Sequence, residues 1–294
     1  MAYRVAVVTG ASSGIGRETA MALAARGWHV VALGRDPART AAAEADIRGA
    51  AKGGRIDIIR ADLSLMAEAG RAADDIAALT PRIDVLINNA GGMASRKHMT
   101  SEGLEQNFAG NHLGPFLLTN RLLPLLRLAA QDAPAGSVRI VNTSSDGSEM
   151  ISGLNWDDLQ LLDDFVAGRA YCQGKLANVM HMRALSRRLA ADGIVVHALH
   201  PGTVASNFIT HADETTQAHI RTRESMSSAA GAEALIWLAT GDEPGRSSGN
   251  YYHQHKMMPP NAVALDDDQV ERLWRESERL VASARTSEEM SELI

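Results

Sequence analysis

Arg4-Val-Ala-Val-Val8, followed without a break by Thr9-Gly10-Ala-Ser-Ser-Gly14-Ile-Gly16, is the stretch of sequence that decides the fold. The first part is an apolar, β-branched run that predicts a buried parallel strand, and residues 17–26 have a helical pattern that Gly27 ends. A glycine-rich turn at this place lets backbone N–H groups approach a diphosphate, and the helix N-terminus adds partial positive charge. The spacing G-x3-G-x-G differs from the common G-x-G-x-x-G. A tight turn without a ligand is the alternative, but the position between strand and helix favours dinucleotide binding.

Strand-like and helical segments alternate along the rest of the chain. Further strands are predicted at 29–33, 55–60, 83–87, 138–142, 194–199 and 249–253, and helices at 38–51, within 101–130, at 171–191, at 229–240 and from about 266. This order predicts one doubly wound α/β Rossmann domain over residues 1–294, with a parallel sheet of about seven strands and helices on both faces. We expect a substrate-loop region at about 204–228 and a C-terminal helical extension at about 262–294. Pro124 predicts a kink or break near Leu123.

Composition limits the function classes. A hydrophobic fraction of 45% with 22% charged residues indicates a globular protein with a sizeable core, and the net charge of −6 gives no basic footprint for nucleic acid. The single cysteine, Cys172, excludes an internal disulfide and suits a reducing compartment. No apolar run approaches the ~18 residues of a membrane span, and the first strand leaves no room for a signal peptide. We therefore expect a cytoplasmic protein without a membrane anchor.

Gly34-Arg35-Asp36 follows the second predicted strand. In a dinucleotide-binding fold this strand end faces the adenosine ribose, where an acidic residue binds the 2′-hydroxyl and an arginine suits a 2′-phosphate. Gly34 stands at the expected acidic position and Arg35 comes next, which favours NADP(H) over NAD(H). A shift of one residue would bring Asp36 to the ribose and reverse the preference.

Polar residues follow the third and fourth strands as well. Asp62 could accept a hydrogen bond from an adenine amino group, could cap the helix that follows, or could do both. Asn88-Asn89-Ala90-Gly91 ends the fourth strand. Paired asparagines can connect neighbouring strands while glycine leaves space for a ribose, so we expect mixed structural and cofactor duty here.

Tyr171 and Lys175 stand four residues apart on a predicted helix and so share one face. A free tyrosine has a pKa near ~10, and a cation beside it favours the phenolate, which moves the phenol toward acid–base chemistry at neutral pH. The same spacing is common on ordinary amphipathic helices. Cys172 is interpreted as a small packing residue.

Together these motifs resemble the short-chain dehydrogenase/reductase family over about residues 4–255. The matching residues are Thr9, Gly10, Gly14 and Gly16, Asn88 to Gly91, Asn111, Ser145, Tyr171 with Lys175, and Pro201-Gly202. The chain is most similar to the retinol-dehydrogenase-like group, through Asn111-His-Leu-Gly, Tyr171-Cys, Lys175-Leu-Ala-Asn178, His200-Pro-Gly and Leu273-Trp274.

The resemblance implies hydride transfer between NADP(H) and a carbonyl or alcohol carbon. It implies that Tyr171 exchanges the proton, Ser145 polarises the substrate oxygen, Lys175 lowers the Tyr171 pKa and holds the nicotinamide ribose, and Asn111 anchors a proton relay. The cofactor residues that follow are Gly10, Ser12, Ser13, Gly14, Ile15, Gly16, Arg35, Asp62, Leu63, Asn89, Ala90, Gly91, Tyr171, Lys175, Pro201, Gly202 and Val204. No metal is expected.

Two departures from the family's pattern stand out. Gly174 precedes Lys175 where serine or alanine is usual, and glycine weakens a helix by up to ~1 kcal/mol relative to alanine. Ser145 lies 26 residues before Tyr171, about twice the family's usual spacing though similar to the retinol-dehydrogenase-like group, which leaves Ser144 as an alternative to the preferred Ser145.

The substrate is bounded only loosely. The apolar residues Met150, Trp156, Phe165 and Phe208 are expected to wall its pocket, which suggests a medium-sized, partly apolar ketone, aldehyde or quinone. Because some relatives carry a membrane anchor that is missing here, retinoids are a poor guess. Two other function classes stay open: a non-catalytic NADP(H)-binding regulator, and an epimerase or dehydratase. The resemblance also implies a homodimer or homotetramer through the helices that bear Asn111 and Tyr171, where the C-terminal extension could cover that surface or add to it.

Overall fold

The computed structural model describes residues 3–204, 217–218 and 222–284. Within them, eight strands form one sheet: β1 (Val5–Thr9), β2 (His29–Gly34), β3 (Ile56–Arg60), β4 (Val85–Asn88), β5 (Arg139–Thr143), β6 (Val195–His200), β7 (Asn250–His253) and β8 (Lys256–Met258). Their spatial order is β3-β2-β1-β4-β5-β6-β7-β8, and β1 to β7 run parallel. The predicted parallel sheet is confirmed, with one strand more than expected.

The extra strand, β8, runs antiparallel to β7 and pairs Tyr252 with Met257. It has only three residues, too few for an alternating pattern to show in the sequence. It forms the edge of the sheet beyond β7.

Helices cover both faces of the sheet. They are α1 (Gly14–Ala24), α2 (Pro37–Ala50), α3 (Met66–Leu79), α4 (Gly114–Asp132), α5 (Ala167–Arg188), α6 (Ser228–Thr240) and α7 (Asp267–Ser283). The first, second and sixth share one hydrophobic cluster with the sheet, while the third, fourth, fifth and seventh share another. The order of the sheet reverses between β1 and β4, so a crevice opens at their carboxyl ends, where ligands of such folds bind.

The helix that leads into α4 is irregular at an unexpected place. A short helical turn, Gln106–Phe108, continues as a π-helical turn, Ala109–Leu113, before α4 begins. Of the kink or break predicted near Leu123, the break is wrong, because α4 continues through Pro124. Pro124 lies on the exposed face, where water can satisfy the carbonyl that proline leaves without an N–H partner.

The helix that carries Tyr171 begins earlier than predicted. It starts at Ala167, so Tyr171 lies in its second turn and not at its first residue.

The C-terminal extension folds as α7 and packs its apolar side, with Leu273 and Leu280, against α5. Trp274 contacts Phe116 of α4 and receives Arg188 of α5 on its ring, so α7 covers the outer side of both helices. In the described chain no helix has both the length and the hydropathy of a membrane span.

Candidate active site

Tyr171 and Lys175 meet at the carboxyl ends of the central strands. The Lys175 ammonium lies 5.5 Å from the centre of the Tyr171 ring and donates to the Thr143 carbonyl at 3.1 Å, which ties α5 to the end of β5. Burial lowers the pKa of Lys175 to about 8. Burial also raises the pKa of the Tyr171 phenol, while its hydrogen bond with Ser145 acts in the opposite direction. The sequence predicted a lowered phenol pKa; here desolvation is the larger effect.

The two serines after β5 have different partners. The Ser144 hydroxyl is buried and donates to the Lys175 carbonyl at 2.8 Å, so it fastens α5 to the sheet. The Ser145 hydroxyl hydrogen-bonds the Tyr171 phenol and accepts from the Gly147 N–H at 3.2 Å. Of the two alternatives left by the sequence, the structure brings only Ser145 to the phenol.

Asn111 reaches the same place from the π-helical turn. Its amide donates to the carbonyls of Gly92 and Asn107, both at 2.8 Å, and its oxygen accepts from the Gly92 N–H at 3.1 Å. A Cβ on Gly91 would lie 2.6 Å from Asn111 Oδ1 and 3.0 Å from Lys175 Nζ. Glycine at this position therefore keeps the space between the amide and the ammonium open.

Gly174, which departs from the family's pattern, has a packing explanation. A Cβ there would lie 3.0 Å from the Asn111 Cβ. The missing side chain lets α5 approach the π-helical turn closely enough to place Asn111 near Lys175. Its cost in helix propensity is thus linked to the geometry of the site.

The glycine-rich turn forms a cradle between β1 and α1. Gly10 has φ +67°, a backbone conformation that favours glycine, and a Cβ on it would lie 2.9 Å from the Ala90 Cα. A Cβ on Gly16 would lie 2.3 Å from the Gly10 carbonyl oxygen. Asn89 holds the turn by donating to the Thr9 carbonyl at 3.1 Å. Ser13, the N-cap of α1, makes no side-chain capping hydrogen bond, so the backbone N–H groups at this helix N-terminus are left for a ligand such as a diphosphate.

The strand connection expected from the paired asparagines is present. Asn88 donates to Asn142 at 3.0 Å and to Thr119 at 2.9 Å, which joins β4 to β5 and to α4. Asn89 and Ala90 donate their backbone N–H groups to the Thr9 hydroxyl, which joins β4 to β1.

The end of β2, where the sequence predicts the adenosine ribose, is closely packed around Gly34. A Cβ on Gly34 would lie 2.4 Å from Thr40 Oγ1 and 2.9 Å from the Ser12 Cβ, so no larger residue fits without movement. Arg35 is mainly exposed and lies 3.4 Å from Asp62. Asp36 caps α2 by accepting from the Arg39 N–H at 2.8 Å, and this hydrogen bond keeps the pKa of its carboxyl low.

Asp62 has a different local role from the one predicted. Its carboxylate accepts from the backbone and hydroxyl of Ser64, at 3.0 and 2.8 Å, while α3 begins later, at Met66 with Leu65 at its N-cap. Glu102 caps α3 instead, by accepting from Met66 and Ala67. The expectation that Asp62 is that N-cap is therefore wrong; its adenine role stays a prediction. Leu63 is buried behind it.

Three other predicted cofactor residues lie on the opposite side of the crevice. Pro201 and Gly202 form the turn after β6, and the side chain of Val204 approaches Gly231 of α6 together with Ile15 of α1. A Cβ on Gly231 would lie 2.7 Å from Val204 and 3.4 Å from Ile15. The fold thus brings Ile15 and Val204 to one wall.

The predicted substrate residues are scattered. Met150 is exposed just beyond the turn that holds Ser145, whereas Trp156 donates to Gln269 at 3.2 Å and lies under Arg272, both on α7. Those contacts make Trp156 a docking residue for α7 and do not support its assignment to the pocket. Phe208 lies outside the described residues. Phe165 packs with Met93 near the Tyr171 ring, and Met93 was not recognised in the sequence.

Sequence reasoning also missed charged residues beside Ser145. Asp146 accepts from the Ser145 hydroxyl at 3.0 Å and pairs with Arg223 at 2.5 Å. His200 lies 4.0 Å from the same carboxylate and contacts the ring of His253. Asp146 could have been noticed because it directly follows Ser145. Its partner Arg223 lies 77 positions later, and no pattern near either residue predicts the contact.

Comparison with known proteins gives consistent matches. A family model described as short chain dehydrogenase matches residues 4–217, which include the glycine-rich turn and α5. Retinol dehydrogenase 13 from Homo sapiens is 36% identical over 289 residues, covering 95% of this chain and 84% of that protein. Retinol dehydrogenase 12 from Homo sapiens is 36% identical over 282 residues, covering 93% and 85% respectively.

Solved structures agree. A protein of uncharacterised function from Mycobacterium paratuberculosis superimposes with a TM-score of 0.74 and 31% identity, covering 96% of this chain and 94% of that chain. RhlG from Pseudomonas aeruginosa, in an active-site complex with NADP, has a TM-score of 0.65 and 26% identity, covering 86% and 95%.

Proposed function

The chain belongs to the short chain dehydrogenase family of oxidoreductases, with retinol-dehydrogenase-like sequence, and on that premise we propose that it is an NADP(H)-dependent carbonyl reductase or alcohol dehydrogenase. The observation that carries the proposal is the meeting of four side chains from three separate parts of the chain. Ser145 follows β5, Tyr171 and Lys175 come from α5, and Asn111 comes from the π-helical turn. Structural packing alone has no need to bring these four polar groups together.

We assign the proton chemistry to Tyr171 and Ser145. When bound, the nicotinamide supplies or accepts the hydride. Because burial raises the pKa of the phenol, Tyr171 is protonated at neutral pH, as the proton donor to a developing alkoxide must be. Ser145, hydrogen-bonded to that phenol, would donate to the same substrate oxygen.

Lys175 and Asn111 have supporting roles in this proposal. The Lys175 ammonium offsets negative charge that develops on the phenol, and it is placed to hold a ribose hydroxyl beside Gly91. Asn111, fixed by Gly92, would hold a water molecule through which Lys175 exchanges protons with solvent.

The preference for NADP(H) over NAD(H) is supported by the end of β2. Gly34 has no space for the carboxylate that would bind a 2′-hydroxyl, and the Asp36 carboxylate is already used as the cap of α2. Arg35 is an exposed cation at this strand end and suits a 2′-phosphate. The buried Thr40 hydroxyl, which has no hydrogen-bond partner in the described residues, faces the same position.

We keep the substrate class as a medium-sized ketone, aldehyde or quinone. Met93 and Phe165 supply apolar surface near Tyr171, and Met150 stands exposed at the edge of the catalytic turn. A homodimer or homotetramer and a cytoplasmic location remain predictions; α7 covers the outer side of the helices through which association was expected.

The proposal is tested by NADPH and NADH oxidation with the purified protein over a panel of ketones, aldehydes and quinones. We expect turnover that prefers NADPH, and a reversed preference in Arg35→Ala would support the 2′-phosphate assignment. Tight NADPH binding without turnover on any substrate would favour the regulator class. Cofactor that is recycled without net oxidation would favour an epimerase.

A further inference from the structure

A charged pair beside Ser145 has no part in the proposed chemistry. Asp146 Oδ1 accepts from the Ser145 hydroxyl at 3.0 Å, and Asp146 Oδ2 lies 2.5 Å from Arg223 Nη2. The carboxylate therefore stands one hydrogen bond away from the oxygen that Ser145 would polarise. An arginine from a distant part of the chain is paired with it.

Asp146 is held in its charged form. Burial alone would raise the pKa of its carboxyl, but His200, Arg223 and the Ser145 hydroxyl together hold that pKa below its ordinary value. The other ionisable groups that face it are Tyr171 and Cys172 on α5 and Tyr251 on β7, with Glu149 and His253 beyond His200. Arg223 is the cation in direct contact.

The main chain fixes Arg223 where the contact requires it. Met226 donates its N–H to the Thr203 carbonyl at 2.9 Å and forms a parallel bridge with Val204. Arg223 precedes this anchor by three residues and extends to the catalytic turn. The ion pair thus joins the segment after β6 to the turn after β5.

The hydrogen-bond capacity of Ser145 gives the pair a consequence. A hydroxyl has one proton, and a proton donated to Asp146 cannot also be donated to a substrate oxygen. A carboxylate without a counter-charge would hold that proton strongly and would oppose negative charge on the substrate oxygen. Arg223 reduces both effects, because it draws the charge of Asp146 toward itself.

We propose that Arg223 is a positioning residue that, by neutralising Asp146, frees the Ser145 hydroxyl to donate to the substrate oxygen. This inference rests on the proposed function, since it needs Ser145 to contact that oxygen. Arg223 and Asp146 act as one unit: the arginine is needed because the carboxylate is there.

The test is a double-mutant cycle on kcat/KM with NADPH and the best ketone of the panel, using Arg223→Gln, Asp146→Asn and the double variant. Arg223→Gln should lose roughly 10-fold or more, the scale of one charge-assisted hydrogen bond. In the Asp146→Asn background the same change should cost about 2-fold or less, because no charge is left to neutralise. Asp146→Asn alters Ser145 directly, so its own activity is only the reference for the second comparison.

Arg71→Gln is the control, since Arg71 forms an ion pair with Asp75 on α3, at 2.7 Å, and its side chain is 49% exposed against 40% for Arg223. It should leave kcat/KM unchanged. An equal loss from Arg223→Gln in both backgrounds would overturn the proposal and point to a direct substrate contact of Arg223. No loss in the wild-type background would overturn it as well.

The pH dependence gives a second readout that a structural role would not produce. Loss of Arg223 raises the pKa of Asp146 relative to wild type, because burial is then opposed only by His200 and the Ser145 hydroxyl, so the carboxyl gains its proton at a higher pH than in wild type. The activity of Arg223→Gln relative to wild type should therefore increase as the pH falls, and the ratio of the double variant to Asp146→Asn should stay flat. If the wild type turns over and neither activity ratio changes with pH, this inference is contradicted and the proposed function is not. If the wild type shows no turnover, the proposed function is contradicted. NADPH titration confirms that each variant is folded.

Discussion

The buried polar groups on the two sides of α5, the helix that carries Tyr171, differ in their hydrogen bonding. On the side toward the sheet crevice, Lys175 donates to a carbonyl and Tyr171 hydrogen-bonds Ser145. On the side under α7, both ring nitrogens of buried His181 and Nδ1 of His112 have no hydrogen-bond partner in the described residues. Burial lowers the pKa of His112 to about 3 and that of His181 well below its ordinary value.

Two neighbouring residues of the π-helical turn show the same contrast. Asn111 faces the crevice, while His112 packs between Phe108 and Phe116 and bonds Ser277 of α7 at 2.7 Å. The difference teaches that polarity by itself does not mark a site. Groups at the crevice are partnered and directed to one point, whereas the histidines are neutral packing groups sealed by α7. Changes on the crevice side should therefore affect catalysis, and changes under α7 should affect stability.

The largest effect is expected for Tyr171→Phe. Loss of the proton donor should reduce kcat by ~10²- to 10⁴-fold, the usual contribution of a positioned acid or base. Because the ring is retained, Tm should stay within a few degrees of wild type. The measurements are NADPH oxidation and thermal unfolding. Near-wild-type turnover would show that Tyr171 is not the catalytic proton donor.

The two serines provide the next comparison. Ser145→Ala should reduce kcat by ~10²- to 10³-fold, as loss of one donor to a developing oxyanion does. Ser144→Ala should instead lower the free energy of unfolding by about 1 kcal/mol, through the lost hydrogen bond to the Lys175 carbonyl, with a far smaller change in kcat. Steady-state kinetics and urea unfolding of both variants decide this, and exchanged phenotypes would show that Ser144 is the catalytic serine.

Acid should destabilise the α7 side. A histidine whose folded pKa lies far below its unfolded value of ~6.5 binds protons mainly in the unfolded state, so stability is lost as the pH falls below ~6.5. Each such histidine removes about 2 kcal/mol at pH 5, from 1.36 kcal/mol per pH unit. His181→Leu should therefore reduce the loss of unfolding free energy between pH 7 and pH 5 by about that amount.

The surface histidine His98 is the control for that experiment. His98 is exposed, so His98→Leu removes an imidazole without opening the core under α7. The change in acid response should be larger in His181→Leu than in His98→Leu, and kcat should be unchanged in both variants at pH 7. If His181→Leu lost as much unfolding free energy between pH 7 and pH 5 as wild type, the buried His181 imidazole would not be the cause of the acid sensitivity.

The last effect is confined to alkaline pH and concerns the charge of Lys175. Since burial lowers its pKa to about 8, the ammonium loses its proton as the pH rises through 8, and the reductive kcat/KM should fall by up to about tenfold per pH unit above that value. A pH profile from 6 to 10 measures this. A kcat/KM that is constant from pH 7 to pH 9 would show that the charge of Lys175 does not affect the rate.

How much the sequence predicts differs between these two sides. The alternating strands and helices, the glycine-rich turn and the Tyr171–Lys175 spacing are local patterns, and each leads to the correct element. The α7 side depends on residues far apart in sequence: Trp156 was assigned to the substrate pocket because nothing near it reveals Gln269, 113 positions later. The partner of Asp146 is hidden for the same reason.

Backbone irregularities were also beyond the sequence. Pro124 suggested a kink or break, yet α4 continues through it. The π-helical turn Ala109–Leu113 is instead followed by Gly114-Pro115, which are ordinary residues for the start of a helix and do not distinguish a π turn from an α turn. Gly174 looked like a weak point of α5 until the distance to Asn111 explained it. Such features follow from how two helices approach each other, which a single-chain pattern does not encode.

The π-helical turn also has a consequence for how this protein can change over evolutionary time. A π turn holds more residues than an α turn, so its presence is a matter of chain length and not of residue identity. Removing one residue between 109 and 113 would restore an α turn and rotate everything before it by about 100° relative to α4, because each α-helical residue turns by that angle. Asn107, which precedes the turn and accepts from the Ala94 N–H, would then rotate away from that contact relative to α4. Point substitutions can tune this site gradually, but its loss or gain requires an insertion or deletion, an all-or-none event in the gene.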